Sequence, residues 1–334
     1  MGFPDFRTSL PEVNSPLRFD HSDRIVSIGS CFAQNMGHRL QAQKFKLLLN
    51  PFGILYNPIS IHRCLQKLLS GAPLSKDSLF QHRGLWQHFD FHSQLAHADF
   101  SSAFRQMNHA IENGHEELKH CTRLILTFGT AYVYHSNTRG HIVANCHKVA
   151  ATQFERKRLD EASIVAMLGS TLEQLTTQLP SLQIVLTVSP VRHIKDGFEN
   201  NQRSKAILLL ACETLSQQHA NVHYFPAYEL LMDDLRDYRF YEKDMLHPNE
   251  TAQQYIWQHF QKAYFSESTI SLNKQITSIL KASLHRPLHP EARTELRTFA
   301  ERQLQKIAQV KNGNTLLDFS KEEGHFTSLL EQKD

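Results

Sequence analysis

Arg24-Ile25-Val26-Ser27-Ile28-Gly29-Ser30-Cys31-Phe32-Ala33 decides the fold. Residues 24–28 are β-rich and stop at a glycine, and over residues 31–43 Phe32, Met36 and Leu40 recur on one side of a helix. Residues 44–49 read as a second strand, stopped by Asn50-Pro51. Asn57-Pro58 then starts a helix, with Asn as cap and Pro at the first helical position. Further strands are expected at 124–128, 183–188 and 222–225, alternating with helices at 99–120, 160–179, 205–219 and 249–264. Near-continuous apolar strands in such alternation predict a parallel sheet with helices on both faces. Residues 132–134 and 142–144, joined through 137–140, read as a hairpin off the third strand. The Tyr and Asp residues of 228–241 fit an amphipathic helix. Beyond Ser266 the strand signal ends. Residues 293–310 form a charged amphipathic helix, and the last twenty residues read as loosely held. The expected organisation is an α/β domain over 20–265 and a helical C-terminal extension over 266–334.

Composition narrows the function. In 334 residues the net charge is only +3 and the one tight basic cluster is Arg156-Lys157-Arg158, which does not suggest nucleic acid. No apolar run nears the ~18 residues of a membrane helix, and the first residues lack the basic and apolar regions of a signal peptide. The expectation is a soluble, cytoplasmic protein with no nucleic-acid or membrane partner. The five cysteines (Cys31, Cys64, Cys121, Cys146, Cys212) are odd in number and contain no Cys-x-x-Cys, so neither a zinc ribbon nor a disulfide scaffold is expected. The 21 histidines stand largely in short phrases with Asn, Asp, Arg or aromatic residues, the composition of a polar pocket.

Ligands of open parallel sheets bind beyond the carboxyl ends of the strands. Gly29-Ser30-Cys31 follows the first strand, Asn50-Pro51-Phe52-Gly53 the second, Gly129-Thr130 the third and Ser189-Pro190-Val191-Arg192-His193 the fourth. Asp244-Met245-Leu246-His247-Pro248 lies downstream of the fifth. Two nucleophiles compete at the first turn. Ser30 is also a good helix N-cap. Cys31 falls at the first helical position, where the helix terminus lowers a thiol's pKa and its own N–H can hold an oxyanion. Asp244 and His247, three apart, suit a carboxylate that orients an imidazole acting as general base. In Trp86-Gln87-His88-Phe89-Asp90-Phe91-His92, an extended chain would put His88, Asp90 and His92 on one face. That face suits a pocket wall, and it is also the best metal candidate. No third or fourth zinc ligand at compatible distance is evident, so no metal and no cofactor are expected. Asn145 and His147 could supply hydrogen-bond donors, and Arg192-His193 suits an anionic or hydroxyl-rich substrate.

Ile28-Gly29-Ser30-Cys31-Phe32-Ala33 resembles the Gly-Ser-Cys-Phe-Ala signature of the GSCFA-domain family. Residues 50–58, Gly84-Leu85-Trp86, Asn145-Cys146-His147-Lys148, Val188-Ser189-Pro190-Val191-Arg192-His193, Asn201-Gln202-Arg203-Ser204-Lys205 and Asp244-Met245-Leu246-His247-Pro248 resemble it too. The resemblance covers roughly residues 20–265 and leaves the tail outside. Such domains are similar to the SGNH (GDSL-type) esterases and acyltransferases, which implies a flavodoxin-like three-layer α/β/α sandwich. By that resemblance Gly29 matches the first-block glycine, Ser30 falls where Asp usually stands and Cys31 falls on the nucleophile. Gly53 matches the second-block glycine, and Asp244 and His247 match the last block. The third block, Gly129-Thr130-Ala131, lacks its Asn at Ala131. Asn145, His147 or the Thr130 backbone are the substitutes that sequence offers.

The expected function is hydrolysis or transfer of O-acyl groups on a glycan or other hydroxyl-bearing molecule. Cys31 (or Ser30) is the nucleophile, His247 the base and Asp244 its orienter. The Cys31 and Gly53 N–H groups hold the oxyanion, and Arg192, His193, His88, Asn145 and His147 line the pocket. Two alternatives are a non-catalytic protein that binds a glycan or acyl donor, and a metal hydrolase built on His88, Asp90 and His92.

Overall fold

A computed structural model describes residue 8, residues 10–284 and residues 293–331. In chain order the elements begin with β1 (Arg24–Gly29), α1 (Cys31–Ala42), β2 (Lys46–Leu49), α2 (Pro58–Ser70), β3 (Phe80–His82), β4 (Leu85–Gln87), α3 (Phe100–Lys119) and β5 (Arg123–Phe128). Then follow β6 (Tyr132–Ser136), β7 (Ile142–Val143), β8 (Phe154–Arg158), α4 (Glu161–Gln178), β9 (Gln183–Val188), α5 (Phe198–Gln218) and β10 (Val222–Phe225). The chain ends with α6 (Ala227–Glu229), α7 (Glu250–Tyr264), α8 (Glu267–Leu284), α9 (Arg293–Gly313) and α10 (Ser320–Glu331).

Five strands form one parallel sheet in the order β10-β9-β5-β1-β2. Counted in chain order these are strands 5-4-3-1-2, the flavodoxin-like winding, whose ligand crevice opens between the first and third strands. Alternation along each strand divides the core. Val26, Ile28, Leu124, Leu126, Phe128, Ile184, Leu186 and Val188 face a layer built by α2, α3, α4 and α5. Ile25, Ile125 and Val185 face the opposite layer of α1 and α7, where Phe32, Met36, Leu40, Ile256 and Phe260 pack. This is the expected α/β/α sandwich.

The turn from β1 into α1 is set by close packing. A Cβ on Gly29 would lie 2.3 Å from the Thr127 carbonyl oxygen and 2.7 Å from Thr127 Cβ, both on the neighbouring strand. A sheet-bound carbonyl cannot retreat as a side-chain tip can. Gly29→Ala should therefore cost about 2–3 kcal/mol by overpacking, read as a lower urea midpoint at unchanged slope. A midpoint equal to the parent's would contradict the packing described.

Several sequence expectations need correction. The second strand starts at Lys46, because Lys44 takes a left-handed turn (φ 61°) out of α1. The expected hairpin is a three-stranded antiparallel sheet in which β8 pairs with β6; charged Glu155, Arg156, Lys157 and Arg158 hid the strand. Residues 228–241 form no single amphipathic helix. Short α6 runs into a π-helical stretch, Leu230–Leu235, and a later turn, Tyr238–Phe240. Residues 88–92 are not extended, since the Phe91 N–H closes a turn onto the His88 carbonyl at 3.1 Å, so the one-face reading of His88, Asp90 and His92 fails.

The tail is not loose. Leu317, Phe319 and Phe326 join Ile276, Ile279, Ala300, Ile307 and Val310 in a core of their own. Lys44 ties this core to the α/β body by donating to Glu322 (3.0 Å) and the Asp318 carbonyl (2.7 Å) beside the Phe319 ring. Among the described residues no helix is long and apolar enough to cross a membrane.

Candidate active site

The carboxyl ends of β1 and β5 are held by backbone N–H donors. The Gly29 N–H donates to Asn50 Oδ1 (2.8 Å), the Leu55 N–H to the Gly29 carbonyl (2.9 Å) and the Ser30 N–H to the Thr127 carbonyl (3.4 Å). Ser30 occupies the N-cap position of α1, yet its hydroxyl caps nothing. It is fully buried and has no hydrogen-bond partner among the described residues. Ser30 therefore gives the first-turn amides of α1 no side-chain cap. Cys31, the first helical residue, is partly exposed. Burial raises its thiol's pKa and dominates; the N–H groups of Phe32 and Cys31 and the Lys205 ammonium act to lower it, and the Asp244 carboxylate to raise it. The helix terminus thus acts in the expected direction, and desolvation outweighs it.

Asp244 and His247 form a hydrogen-bonded dyad. Asp244 Oδ2 lies 2.6 Å from His247 Nδ1, while Oδ1 accepts the N–H groups of Leu246 (2.9 Å) and His247 (3.0 Å). Those two N–H donors and the imidazole hold the Asp244 carboxyl down at about 2. The turn is pinned on several sides. The Glu242 N–H donates to the His247 carbonyl (2.7 Å), the Arg192 N–H to the Leu246 carbonyl (3.3 Å), and Asn249 caps α7 through the Ala252 N–H. His247 is half-exposed, and its Nε2 makes no hydrogen bond among the described residues.

A lysine that sequence reasoning passed over lies beneath this crevice. Lys205 is 1% exposed, and its Nζ donates to the Gly129 (2.7 Å) and Ser189 (2.5 Å) carbonyls at the ends of β5 and β9. Burial lowers its pKa to about 7, while proximity to Cys31 acts in the opposite direction. His193 packs edge-on against Tyr56 at 5.6 Å, with its Nε2 buried and without a hydrogen-bond partner among the described residues. Burial, followed by the charges of Lys205 and His247, takes it down to about 3, so it is a neutral imidazole. Tyr56 is held protonated by burial and by the adjacent Cys31.

The third-block amides are all occupied. Gly129 and Thr130 donate to the Tyr56 carbonyl (2.7 and 3.1 Å), and Ala131 donates to Ser204 Oγ (2.8 Å). The Thr130 backbone is therefore no free oxyanion donor. Nor is the Gly53 N–H, which closes a turn onto the Asn50 carbonyl at 2.7 Å. Gly53 serves close approach instead, at φ 78° with His92 Cβ 2.3 Å from where its own Cβ would stand.

The remaining expected pocket residues divide. Arg192 lies over Tyr241 (4.8 Å) and Tyr238 (5.5 Å) beside the dyad turn. Asn145, His147 and His88 form a separate patch. Asn145 Nδ2 donates to Ser93 Oγ, the His147 N–H to Asn145 Oδ1, and His147 Nε2 meets the His88 carbonyl. Among the described residues no hydrogen bond joins this patch to Cys31, Asp244 or His247. His88 and Asp90 line a distinct cleft of about 540 Å³ with Arg63 and Arg139, and Asp90 is paired with Arg63 at 2.7 Å. Among the described residues no group of three or more His, Cys, Asp or Glu could hold a metal ion.

Lys205 had a sequence signal. It shares the buried face of α5 with Asn201, Ser204, Leu208, Ala211 and Cys212, at helical spacing where a lysine is out of place. Asn50, whose Oδ1 accepts from the Gly29 N–H, read as a strand stop and as part of the second-block turn, with no role of its own.

A model of the GSCFA family matches residues 24–260, and a model described as the GSCFA domain protein, C-terminal domain, matches residues 276–332. The tail, outside the motif resemblance, thus has a family match of its own. No curated protein matches the chain.

Proposed function

The chain belongs to the GSCFA family, and we propose that it is an SGNH-type acyl-ester hydrolase or O-acyltransferase acting through Cys31, His247 and Asp244. One juxtaposition supports the reading: the partly exposed Cys31 thiol at the first position of α1, where Ser30 makes no side-chain cap, feels the charge of Asp244, which is itself hydrogen-bonded to His247. The substrate is an O-acyl ester of a glycan or another hydroxyl-bearing small molecule. Arg192 and the neutral His193 are the groups suited to its hydroxyl or anionic parts.

Cys31 Sγ attacks the acyl carbon as its proton passes to His247 Nε2, so that an S–C bond forms while the carbonyl electrons move to oxygen. The amides of Cys31 and Phe32 stabilise that oxyanion. Its collapse breaks the C–O bond, and His247 returns the proton to the leaving alkoxide. The thioester then yields its acyl group to water or a sugar hydroxyl, whose proton goes through His247 back to Sγ. Asp244 keeps the imidazole in the tautomer with Nε2 open and stabilises the imidazolium that forms as the proton arrives. Cys31 rather than Ser30 takes the nucleophile's role because the Ser30 hydroxyl is sealed from substrate.

Incubation with a chromogenic acyl ester should release one equivalent of alcohol rapidly and leave an acyl group on the Cys31 peptide, removable by hydroxylamine. An adduct on Ser30 would reassign the nucleophile. Ester binding with no adduct and no turnover would support the other reading, a glycan- or acyl-donor-binding protein. The raised thiol pKa and the occupied third-block amides favour that reading.

A further inference from the structure

We propose that Lys205 is the charge partner of the Cys31 thiolate, a buried cation held at the ends of β5 and β9; this rests on Cys31 being the nucleophile. Lys205 reaches the crevice from the first turns of α5 and ends under the Gly129 carbonyl, two residues beyond Thr127, which pairs with Gly29. Cys31 stands two residues beyond Gly29, so the ends of the two adjacent strands bring thiol and amine to one crevice. Among the described residues Lys205 has no carboxylate within ion-pair distance; its neighbours are two carbonyls and the Tyr228 ring at 5.7 Å.

A fully buried ammonium without a counter-ion is costly, and residues so buried are paired or perform chemistry. The hydrogen bonding fits a group that changes charge in place. A neutral amine has two N–H bonds, and the two carbonyls take both. Protonation adds a third N–H and a positive charge while disturbing neither bond. A thiolate formed at Cys31 then meets a cation already held nearby, which offsets the desolvation that otherwise keeps the thiol protonated.

Asp244 and Tyr56 act on Cys31, and the proposed mechanism brings His247 to it; His193 and Tyr228 lie by Lys205, with the charges of His247 and Arg156 acting on His193 and that of Arg192 on Tyr228. Asp244 opposes the thiolate, His193 is neutral and both tyrosines are held protonated, and the positive charge that acts on Cys31 itself is that of Lys205. The bland alternative is a strut that only ties β5 to β9. Charge distinguishes the two, because a strut needs N–H donors and a charge partner needs the cation.

The test is the pH profile of Cys31 alkylation by iodoacetamide in the full-length chain, followed on the Cys31 peptide, with Cys146 as internal control. Cys146 feels Lys195 and Arg156, and Lys205 is not among its neighbours. Lys205→Gln keeps N–H donors for the carbonyls and removes the charge; Lys205→Met removes both. Each should slow Cys31 alkylation about tenfold at and below pH 7, where Lys205 carries its proton, with Cys146 unchanged. Should one variant fail to fold, the other gives the answer. A Cys31 profile in Lys205→Gln that superimposes on the parent's overturns the proposal and leaves Lys205 as a strut. Because the readout is alkylation, an absence of ester turnover in the parent bears on the enzymatic reading and leaves this test intact.

Discussion

Cys31→Ala should lower turnover of a chromogenic acyl ester by about 10³-fold or more, a loss of roughly 4 kcal/mol of transition-state stabilisation. The substitution removes one atom from a partly exposed position at the start of α1, where alanine is a good helix former. The helix, its first-turn amides and the crevice remain, so substrate affinity should change little while kcat collapses. Cys31→Ser separates shape from chemistry. The hydroxyl occupies the same place but is a far weaker acid than a thiol, so activity should stay near the alanine level. A Cys31→Ala protein retaining a tenth of the parent rate would remove the thiol from the mechanism, and thermal melts of both variants would show that the fold is not the cause.

The second large effect is expected at the dyad. His247→Ala should cost about 10³-fold and Asp244→Asn about 10²–10⁴-fold, because an amide can no longer fix the imidazole tautomer or favour its charge. The double variant should be scarcely worse than His247→Ala alone, since an orienter without its imidazole has nothing to orient. The sign of the pH dependence follows from the depressed carboxyl. Asp244 is ionised above its ordinary value and loses that charge only as pH falls toward about 2. No ionisation of Asp244 therefore falls between pH 5 and 9, and Asp244→Asn should depress the rate across that whole window. Full pH–rate profiles would check this. A variant rate equal to the parent's at any pH in the window would argue against the orienting role.

How legible the site was depended on what each residue does. Gly29, Cys31, Asp244 and His247 stand at strand ends or in a short turn, where sequence spacing translates directly into position. Gly53 and Thr130 were found in the right turns, but the direction of a backbone N–H is decided by its acceptor. Those acceptors, the Asn50 and Tyr56 carbonyls, come from the tertiary fold. Asn145, His147 and His88 fell outside the dyad's surroundings because the expected extended chain at 88–92 is a turn, so local hydrogen bonds hold the three together instead.

The alternation of apolar strands and helices by itself determined the layered fold, because burying a sheet on both faces demands that pattern wherever the chain goes. The family phrases picked out the strand-end turns on which the proposed chemistry rests. Only the tertiary structure decided that the Ser30 hydroxyl is sealed, that burial outweighs the helix terminus at Cys31, and that a lysine from α5 lies beneath the crevice. Desolvation and through-space charge depend on what the rest of the chain places around a group, and residues nearly two hundred positions apart meet there only once the sheet is formed.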